Sequence, residues 1–357
     1  MSEEIPFAKE VVAEVPTLDR WLNHGGRVVR TFVKGPHRGV NADTGVCLLL
    51  HGQGGRQNDI SWKMLRRSLS EKHNLLVVGV NYFGTELTQR DVNFVNEQGF
   101  HAYHGLRTNP NIEAAFQRGE TLAVPAEEFS FYENQRAAVI ASMPYPIEFW
   151  DWGLIQAVDA INALRWAIGE AKLNPTRVSV VSRSAGAQVA FNLLKLLPQS
   201  FSAYLDLGGA AYGSSKREWL TKLLDDPFGH VSEADAGGLT LTSQNPKFSI
   251  NLRKRWPHPS LGRECGSGAR LDDEVAIRDV ANAEHFDAAT SLSRIVVEQG
   301  VEDEHFSPAY KEEVLAPYSE RGVDATVRPI TKDDCDGRLR DNAGHTFMKD
   351  YNALVLE

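Results

Sequence analysis

The sequence predicts an α/β protein in which a mostly parallel, doubly wound sheet is flanked by helices. Two observations support this prediction. Continuous apolar runs occur at residues 46–50, 75–80 and 178–181. Strands that are buried in a parallel sheet are apolar along their whole length in this way. Next to them, apolar residues recur with helical spacing at residues 57–72, 149–169 and 186–194. An alternation of buried strands and helices is typical of parallel sheets.

Size and charge restrict the class of protein. The chain has 357 residues, 42% of them hydrophobic, which is enough to bury the core of one elaborated α/β domain with inserted segments. Its net charge of -9 and its isoelectric point near 5.7 argue against nucleic-acid binding, which normally uses a basic face. Both values are ordinary for an enzyme.

Cysteine usage and the N-terminal composition indicate the compartment. The three cysteines, Cys47, Cys265 and Cys335, are scattered and form no Cys-x-x-Cys pair, so neither a disulfide framework nor a zinc cluster is expected. Residues 1–16 carry acidic side chains and no long apolar run, which predicts neither a signal peptide nor a membrane span. We therefore expect a cytoplasmic protein without a metal. The sequence leaves open whether it is a homodimer.

A glycine-rich loop follows the first buried strand. Residues 27–34 alternate like a half-buried edge strand, and the apolar run 46–50 leads directly into His51-Gly52-Gln53-Gly54-Gly55. A loop with so little side-chain bulk can bring backbone N–H groups close to a developing negative charge. The alternatives are a flexible turn and a phosphate cradle, but neither GxGxxG nor GxxxxGKS/T is present.

The pattern of the sheet is interrupted after the strand at residues 75–80. From residue 82 to about residue 147, aromatic residues and polar turns are frequent, but no regular period is visible. Structureless loops of this length are rare in compact domains. We therefore expect short helices here that pack over one end of the sheet.

One serine stands at a sharp change of pattern. Within residues 178–194 a β-branched run gives way to helical spacing, and Ser184 lies at the turn between them. Ser182 and Gly186 are small, as a strained turn requires where backbone and Cβ atoms pass close together. We expect the Ser182 side chain to pack beneath this turn. The alternative is an ordinary turn in which the serine caps the helix.

The C-terminal part continues the alternation and adds an acid and a histidine. Strands are expected at residues 201–207, 291–299 and 324–330, with a helix at 307–321. The strand at 291–299 leads to Asp303, which has Glu302 and Glu304 as rival acids. A long polar loop after the last strand ends at Gly344-His345.

Two of these features resemble motifs of the α/β-hydrolase superfamily. The turn at Ser182-x-Ser184-x-Gly186 resembles its nucleophile elbow, with Ser182 in place of the usual first glycine. The loop that begins at His51 resembles its oxyanion loop. The resemblance covers about residues 46–83, 149–209 and 291–349, and identifies no single subfamily.

The acid and the histidine complete the resemblance. Gly300-x-x-Asp303 resembles the acid turn of the superfamily, and Gly344-His345 resembles its histidine loop. The chain order of serine, aspartate and histidine is also that of the superfamily. The resemblance implies that Ser184 is the nucleophile, that His345 is its general base, and that Asp303 orients the histidine.

The same resemblance implies further site residues. The amide of Gln53, or that of Gly54, would supply one donor to an oxyanion, and the amide of Ala185 would supply the other. His51 and Arg183 are candidates for substrate binding.

The resemblance also implies a division into domains. The core is expected at residues 1–211 and 291–357, with the long insertion at about 82–147, and a cap or lid is expected at residues 212–290. Within the expected cap, residues 247–270 carry six basic residues against one acidic residue, Glu264. This segment either binds a negatively charged group of the substrate or forms a solvated surface of the cap.

The implied activity is hydrolysis of a carboxylic ester or thioester through an acyl-enzyme intermediate, with a small-molecule substrate and no cofactor. The order of motifs also resembles prolyl-oligopeptidase-type enzymes, so a peptidase or acyltransferase is an alternative. A non-catalytic binding protein with the same fold is a third reading. Such a protein has no need to keep Ser184, Asp303 and His345 together.

Overall fold

The computed structural model describes residues 7–17, 27–53, 55–85, 121–124, 152–225, 238–243, 249–253, 271–282 and 291–345. The chain divides into two compact units. Residues 1–85, 151–221 and 268–357 form the first unit, and residues 86–150 and 222–267 form the second.

The first unit is built on an eight-stranded sheet. Its strands are β1 (Val11–Pro16), β2 (Val28–Lys34), β3 (Gly45–Leu50), β4 (Leu75–Asn81), β6 (Val178–Arg183), β7 (Ala203–Leu207), β10 (Arg294–Gly300) and β11 (Asp324–Ile330). The strands at residues 121–124, 238–243 and 249–253, numbered β5, β8 and β9 in chain order, belong to the second unit. They lie in the order β1-β2-β4-β3-β6-β7-β10-β11. β2 pairs antiparallel with β1 and β4, and all other neighbours are parallel. The predicted, mostly parallel sheet is confirmed.

Burial accounts for the positions of the strands. All residues of β3 are buried, and only the first residue of β4 is not. Such continuous apolar strands suit the centre of a sheet that is covered on both faces. β1 and β11 are largely exposed and occupy the two edges.

The described helices are α1 (Ile60–His73), α2 (Leu154–Glu170), α3 (Gly186–Leu196), α4 (Arg217–Asp225), α5 (Leu271–Arg278) and α6 (Pro308–Ser319). α1 buries Trp62 and Leu65 in a cluster with Cys47, Leu49 and Val77 of β3 and β4. α3 packs on β3 and β6, and α6 packs on β10 and β11. Because β3, β6, β10 and β11 run in parallel, the loops that follow them meet at one edge of the sheet. None of the described helices is long and apolar enough to cross a bilayer.

The described part of the second unit is a three-stranded sheet. β5 (Thr121–Val124) pairs in parallel with β8 (Gly238–Ser243), which pairs antiparallel with β9 (Ser249–Arg253). The two interruptions of the core pattern therefore contribute strands to one sheet, a long-range pairing that local sequence patterns do not reveal. Of the basic segment 247–270, only β9 lies within the described residues, so the role of that segment stays a prediction.

The boundaries of the second insertion differ from those expected. The expected cap covers residues 212–290, whereas residues 212–221 and 268–290 group with the first unit. α5 explains part of this difference because α3 holds it in place. Gln188 Nε2 donates to Arg278 O at 2.7 Å, and Lys195 Nζ donates to Ile277 O at 2.5 Å and Asp279 O at 3.0 Å. A cap role for the second unit remains a prediction.

Candidate active site

Ser184 lies at the turn between β6 and α3 with its backbone in the left-handed region, at φ 49°. A residue other than glycine adopts this conformation only where its surroundings enforce it. The Ser184 carbonyl oxygen accepts hydrogen bonds from the amides of Ala187 (2.9 Å) and Ala210 (2.7 Å), which hold the turn. The N-cap of α3 is Ala185, without a side-chain cap. The turn is therefore a strained one and not an ordinary turn capped by serine.

Two glycines let the loop after β3 approach this turn. A Cβ atom at Gly186 would lie 2.6 Å from the Leu50 carbonyl oxygen. A Cβ atom at Gly52 would lie 2.8 Å from the Ser184 Cβ atom. Both distances are too short for real side chains, so both positions need glycine. The glycine-rich loop therefore lies directly against the candidate nucleophile.

The side chains of Ser184, His345 and Asp303 form one hydrogen-bonded series. Ser184 Oγ lies 2.8 Å from His345 Nε2, and His345 Nδ1 lies 2.7 Å from Asp303 Oδ2. Because a carboxylate only accepts, the proton on Nδ1 is donated to Asp303, and Nε2 can accept from the serine hydroxyl. This is the tautomer that a general base for serine requires.

Asp303 lies in the turn after β10 and is only 4% exposed. Its Oδ1 accepts from the amides of His305 (3.0 Å) and Phe306 (2.9 Å), and its Oδ2 also accepts from Gln299 Nε2 (2.8 Å). Burial by itself would raise the pKa of Asp303, but the hydrogen bonds from His345 and from the two amides lower that pKa below its usual value. The side chain is therefore a carboxylate at neutral pH.

The two rival acids lie elsewhere. Glu302 and Glu304 are both exposed, and Glu302 Oε1 is 2.7 Å from Lys332 Nζ. Of the three adjacent acids, Asp303 is the one whose carboxylate reaches His345.

A close approach between two loops positions the histidine. A Cβ atom at Gly300 would lie 2.1 Å from the Ala343 carbonyl oxygen, and the amide of Glu302 donates to the same oxygen at 2.9 Å. The loop that carries His345 is thus tied to the end of β10. This contact explains why a glycine is required at the start of the acid turn.

The expected oxyanion donors are placed in part. The amides of Gln53 and Ala185 have no hydrogen-bond partner among the residues that the structure describes, and Ala185 lies at the start of α3, where amides have no acceptor within the helix. Gly54 lies outside the described residues. Arg183 is half-buried at the end of β6, beside Ser184. The oxyanion role of these amides and a substrate contact of Arg183 stay predictions.

His51 does not fit the substrate-binding role expected for it, because its side chain is completely buried. Its Nδ1 donates to Gly52 O at 2.8 Å, and its Nε2 accepts from the Thr85 hydroxyl at 3.2 Å. The ring stacks on Tyr82 at 4.3 Å, and the Tyr82 hydroxyl donates to the His51 carbonyl oxygen. Burial lowers the pKa of His51 to about 4. A neutral, buried His51 therefore supports the glycine-rich loop from below.

Burial of His51 predicts a loss of stability in mild acid. Its folded-state pKa of about 4 lies below the ordinary value of 6.5, so between these values the unfolded chain binds the proton more readily. The stabilisation that the neutral His51 gives to the folded protein is fully present above pH 6.5. It is lost as the pH falls towards 4, which lowers the free energy of unfolding by about 3 kcal/mol in total. Chemical denaturation across this range should show that His51→Gln removes this part of the pH dependence. His73→Gln, on an exposed residue, should leave it unchanged, and an equal slope in wild type and His51→Gln would contradict the assignment.

A buried polar network beneath the turn is absent from the sequence-based expectations. Ser182 Oγ lies 2.8 Å from the Tyr204 hydroxyl and donates to Asp206 Oδ1 at 3.2 Å, so the predicted packing of Ser182 under the turn is confirmed. Lys311 Nζ lies 2.8 Å from Asp206 Oδ2, and both side chains are 0% exposed. A Cβ atom at Gly209 would lie 2.2 Å from Asp206 Oδ1. The signal that could have revealed the network is an aspartate within the apolar run 201–207.

The described residues contain no group of three or more His, Cys, Asp or Glu side chains that could hold a metal ion. Cys47 is buried in the core, and burial raises the pKa of its thiol to about 12, so this cysteine is a packing residue and not a nucleophile. The nucleophile candidate within the described site is Ser184.

No protein-family model and no curated protein sequence matches this chain. Among solved structures, a puromycin-hydrolysing peptidase from Mycobacterium tuberculosis matches 99% of this chain at 14% identity and a TM-score of 0.50. The match covers 39% of that peptidase, so this chain spans well under half of its length.

Two further solved structures are less similar. An S-formylglutathione hydrolase from Agrobacterium tumefaciens has 13% identity and a TM-score of 0.46, with 99% of this chain and 95% of that chain covered. Est1E from Butyrivibrio proteoclasticus, with bound ferulic acid, has 9% identity and a TM-score of 0.44, with 92% of each chain covered. At such identities structural similarity concerns the fold alone. The sheet order, the strained turn at Ser184 and the match to the peptidase lead to one conclusion: this chain has the α/β-hydrolase fold.

Proposed function

We propose that this protein is a serine hydrolase that cleaves carboxylic esters or thioesters through an acyl-enzyme intermediate. The observation that carries the proposal is the unbroken hydrogen-bonded series from Ser184 Oγ through His345 to the buried carboxylate of Asp303. Three side chains from three separate loops meet at the hydrogen-bond distances that nucleophilic catalysis needs.

The first half of the reaction forms the acyl-enzyme. Nε2 of His345 takes the hydroxyl proton of Ser184 as Oγ attacks the carbonyl carbon of the ester. Asp303 stabilises the positive imidazolium that results. The carbonyl oxygen becomes negative and would be bound by the amides of Ala185 and of Gln53 or Gly54. His345 then gives its proton to the leaving oxygen, the bond from carbon to that oxygen breaks, and the alcohol departs.

The second half returns the enzyme to its starting state. His345 takes a proton from a water molecule, whose oxygen attacks the acyl carbon. The bond between that carbon and Ser184 Oγ breaks, the serine recovers its proton from His345, and the carboxylic acid leaves. Both halves use the same series of side chains and need no other reactant than water.

The experiment that tests this proposal measures hydrolysis of p-nitrophenyl esters from acetate to decanoate, together with labelling by a fluorophosphonate probe. Ser184→Ala and His345→Ala should each lower kcat/KM by at least about 10³-fold, because the nucleophile or its base is removed. Ser184→Ala should also abolish labelling. Ser182→Gly is the matched control. It should keep activity, since the Ser182 hydroxyl points into the buried network and not towards the substrate.

The alternatives give different results in the same assay. Faster cleavage of acyl p-nitroanilides than of the matching esters would favour a peptidase, and transfer of the acyl group to an added alcohol in preference to water would favour an acyltransferase. Absence of both hydrolysis and labelling in wild type would overturn the proposal in favour of a binding protein. A small or medium acyl group, a cytoplasmic location and a homodimer remain predictions.

A further inference from the structure

The segment that follows Gly209 runs from the candidate nucleophile to a group of aromatic residues. It begins at Ala210, whose amide donates to Ser184 O, and hydrogen bonds hold it at several later residues. The Tyr310 hydroxyl accepts from the amide of Gly213 at 3.0 Å. The amide and hydroxyl of Ser215 donate to the carboxylate of Glu313 at 2.8 and 2.9 Å. The side chains that this segment carries therefore have fixed positions relative to the turn at Ser184.

Three aromatic rings are stacked edge to face and end at the candidate histidine. The rings of Trp152 and Tyr212 are 5.5 Å apart at 85°, and those of Tyr212 and Phe306 are 5.2 Å apart at 81°. The Phe306 ring lies 5.9 Å from the His345 ring. Trp152 and Tyr212 are half-buried. Trp152 also has a strained backbone, at φ 57°, as often occurs where a side chain must be held at a functional site.

Lys216, which has no carboxylate partner among the described residues, lies against one of these rings, Phe306, and against the ring of Tyr310. Lys216 Nζ is 5.2 Å from the centre of the Tyr310 ring and 6.0 Å from that of Phe306. No described carboxylate lies within ion-pair distance of this ammonium group. Its neighbour Arg217, in contrast, pairs with Asp279 at 3.3 Å. Because a ring face attracts a cation without neutralising it, Lys216 keeps its positive charge for another group.

The mechanism indicates which part of a substrate lies here. His345 must deliver its proton to the leaving oxygen, so the leaving alcohol lies beside this histidine in the reacting complex. The Phe306 ring lies near both His345 and the Lys216 ammonium group. The alcohol portion of an ester would thus meet first the aromatic rings and then the ammonium group.

We infer that the site selects esters whose alcohol portion is an aromatic ring with a negatively charged substituent. The ring would pack on Trp152 and Tyr212, next to the buried Phe306, and the anionic group would pair with Lys216. This inference rests on the proposed hydrolase function. The competing explanation is that Lys216 only packs on the rings, which would stabilise the fold without affecting the choice of substrate.

The test compares two substrates that differ only in the substituent para to the ester, which is a carboxylate in 4-acetoxybenzoate and a neutral amide in 4-acetoxybenzamide. We expect wild type to have a kcat/KM about tenfold higher for the benzoate, the ratio that a hydrogen-bonded ion pair of modest strength supplies. The carboxamide is the better leaving group, so such a preference cannot arise from intrinsic reactivity. Lys216→Met keeps an unbranched side chain against the rings and should remove the preference by lowering kcat/KM for the benzoate only. Lys216→Arg should retain it.

Lys63→Met is the charge-matched control, because Lys63 is an exposed residue of α1 whose ammonium group has no ion-pair or hydrogen-bond partner among the described residues. It should leave the preference unchanged. Equal kcat/KM values for the two substrates in wild type, or a preference that survives in Lys216→Met, would overturn the inference. If Lys216→Met does not fold, the inference is tested instead by product inhibition of the wild-type protein. A Ki about tenfold lower for 4-hydroxybenzoate than for 4-hydroxybenzamide supports the inference, and equal values overturn it.

The same measurements separate this inference from the proposed function. If wild type hydrolyses both acetoxy compounds at equal rates, the hydrolase function stands and the inference alone is overturned. If wild type hydrolyses neither of them nor p-nitrophenyl acetate, the proposed function is overturned and the inference is overturned with it.

Discussion

Asp303→Asn is expected to lower kcat for ester hydrolysis by about 10³- to 10⁴-fold while the protein stays folded. The amide cannot provide the negative charge that stabilises the imidazolium. Its NH₂ group can also donate to Nδ1 of His345, which would place the remaining proton on Nε2 and stop that nitrogen from accepting the proton of Ser184. The measurement is kcat on p-nitrophenyl acetate, with circular dichroism to verify the fold.

The neighbouring acids provide matched controls for this variant. Glu302→Gln and Glu304→Gln remove the same charge one residue away, on side chains that are exposed and do not contact the histidine. Both should keep kcat within about twofold of wild type, since exposed charges are largely screened. A loss in Glu302→Gln or Glu304→Gln as deep as that in Asp303→Asn would mean that the acid of the series is wrongly assigned.

Lys311→Met is expected to lower the free energy of unfolding by about 3–5 kcal/mol, the range observed when one partner of a buried ion pair is removed. The substitution leaves the Asp206 carboxylate without its cation at a position where neither side chain contacts solvent. Asp206 also accepts a hydrogen bond from Ser182 and packs against Gly209. The substitution should therefore also destabilise the turn that carries Ser184. Urea denaturation of the variant and of wild type measures the effect.

A second substitution distinguishes lost charge pairing from lost packing. Asp206→Asn combined with Lys311→Met should recover most of the stability, because the amide removes the buried charge but can still accept from Ser182. Lys332→Met breaks a solvent-exposed pair with Glu302 and should cause no measurable change. If the double variant is as unstable as Lys311→Met alone, the loss of stability comes from lost packing of the lysine side chain and not from lost charge pairing.

The sequence by itself determined the parallel core and the side chains that meet at its edge. Strands such as β3 are continuous apolar runs, and the change from β-branched residues to helical spacing marks the turn at Ser184. Asp303 and His345 follow strands that belong to the same sheet, so a parallel arrangement brings their loops together. The parallel core was predicted from local periodicity, whereas the choice of Asp303 and His345 was implied by the resemblance to the α/β-hydrolase superfamily.

Only the tertiary structure decided features that depend on contacts between distant segments. It showed that His51 is buried under its own loop, that Asp206 pairs with Lys311 across 105 positions, and that β5 joins β8 in one sheet. It also placed Lys216 against the ring of Phe306, which lies beside His345. No local pattern encodes these features, because burial and charge pairing depend on which remote residues pack together.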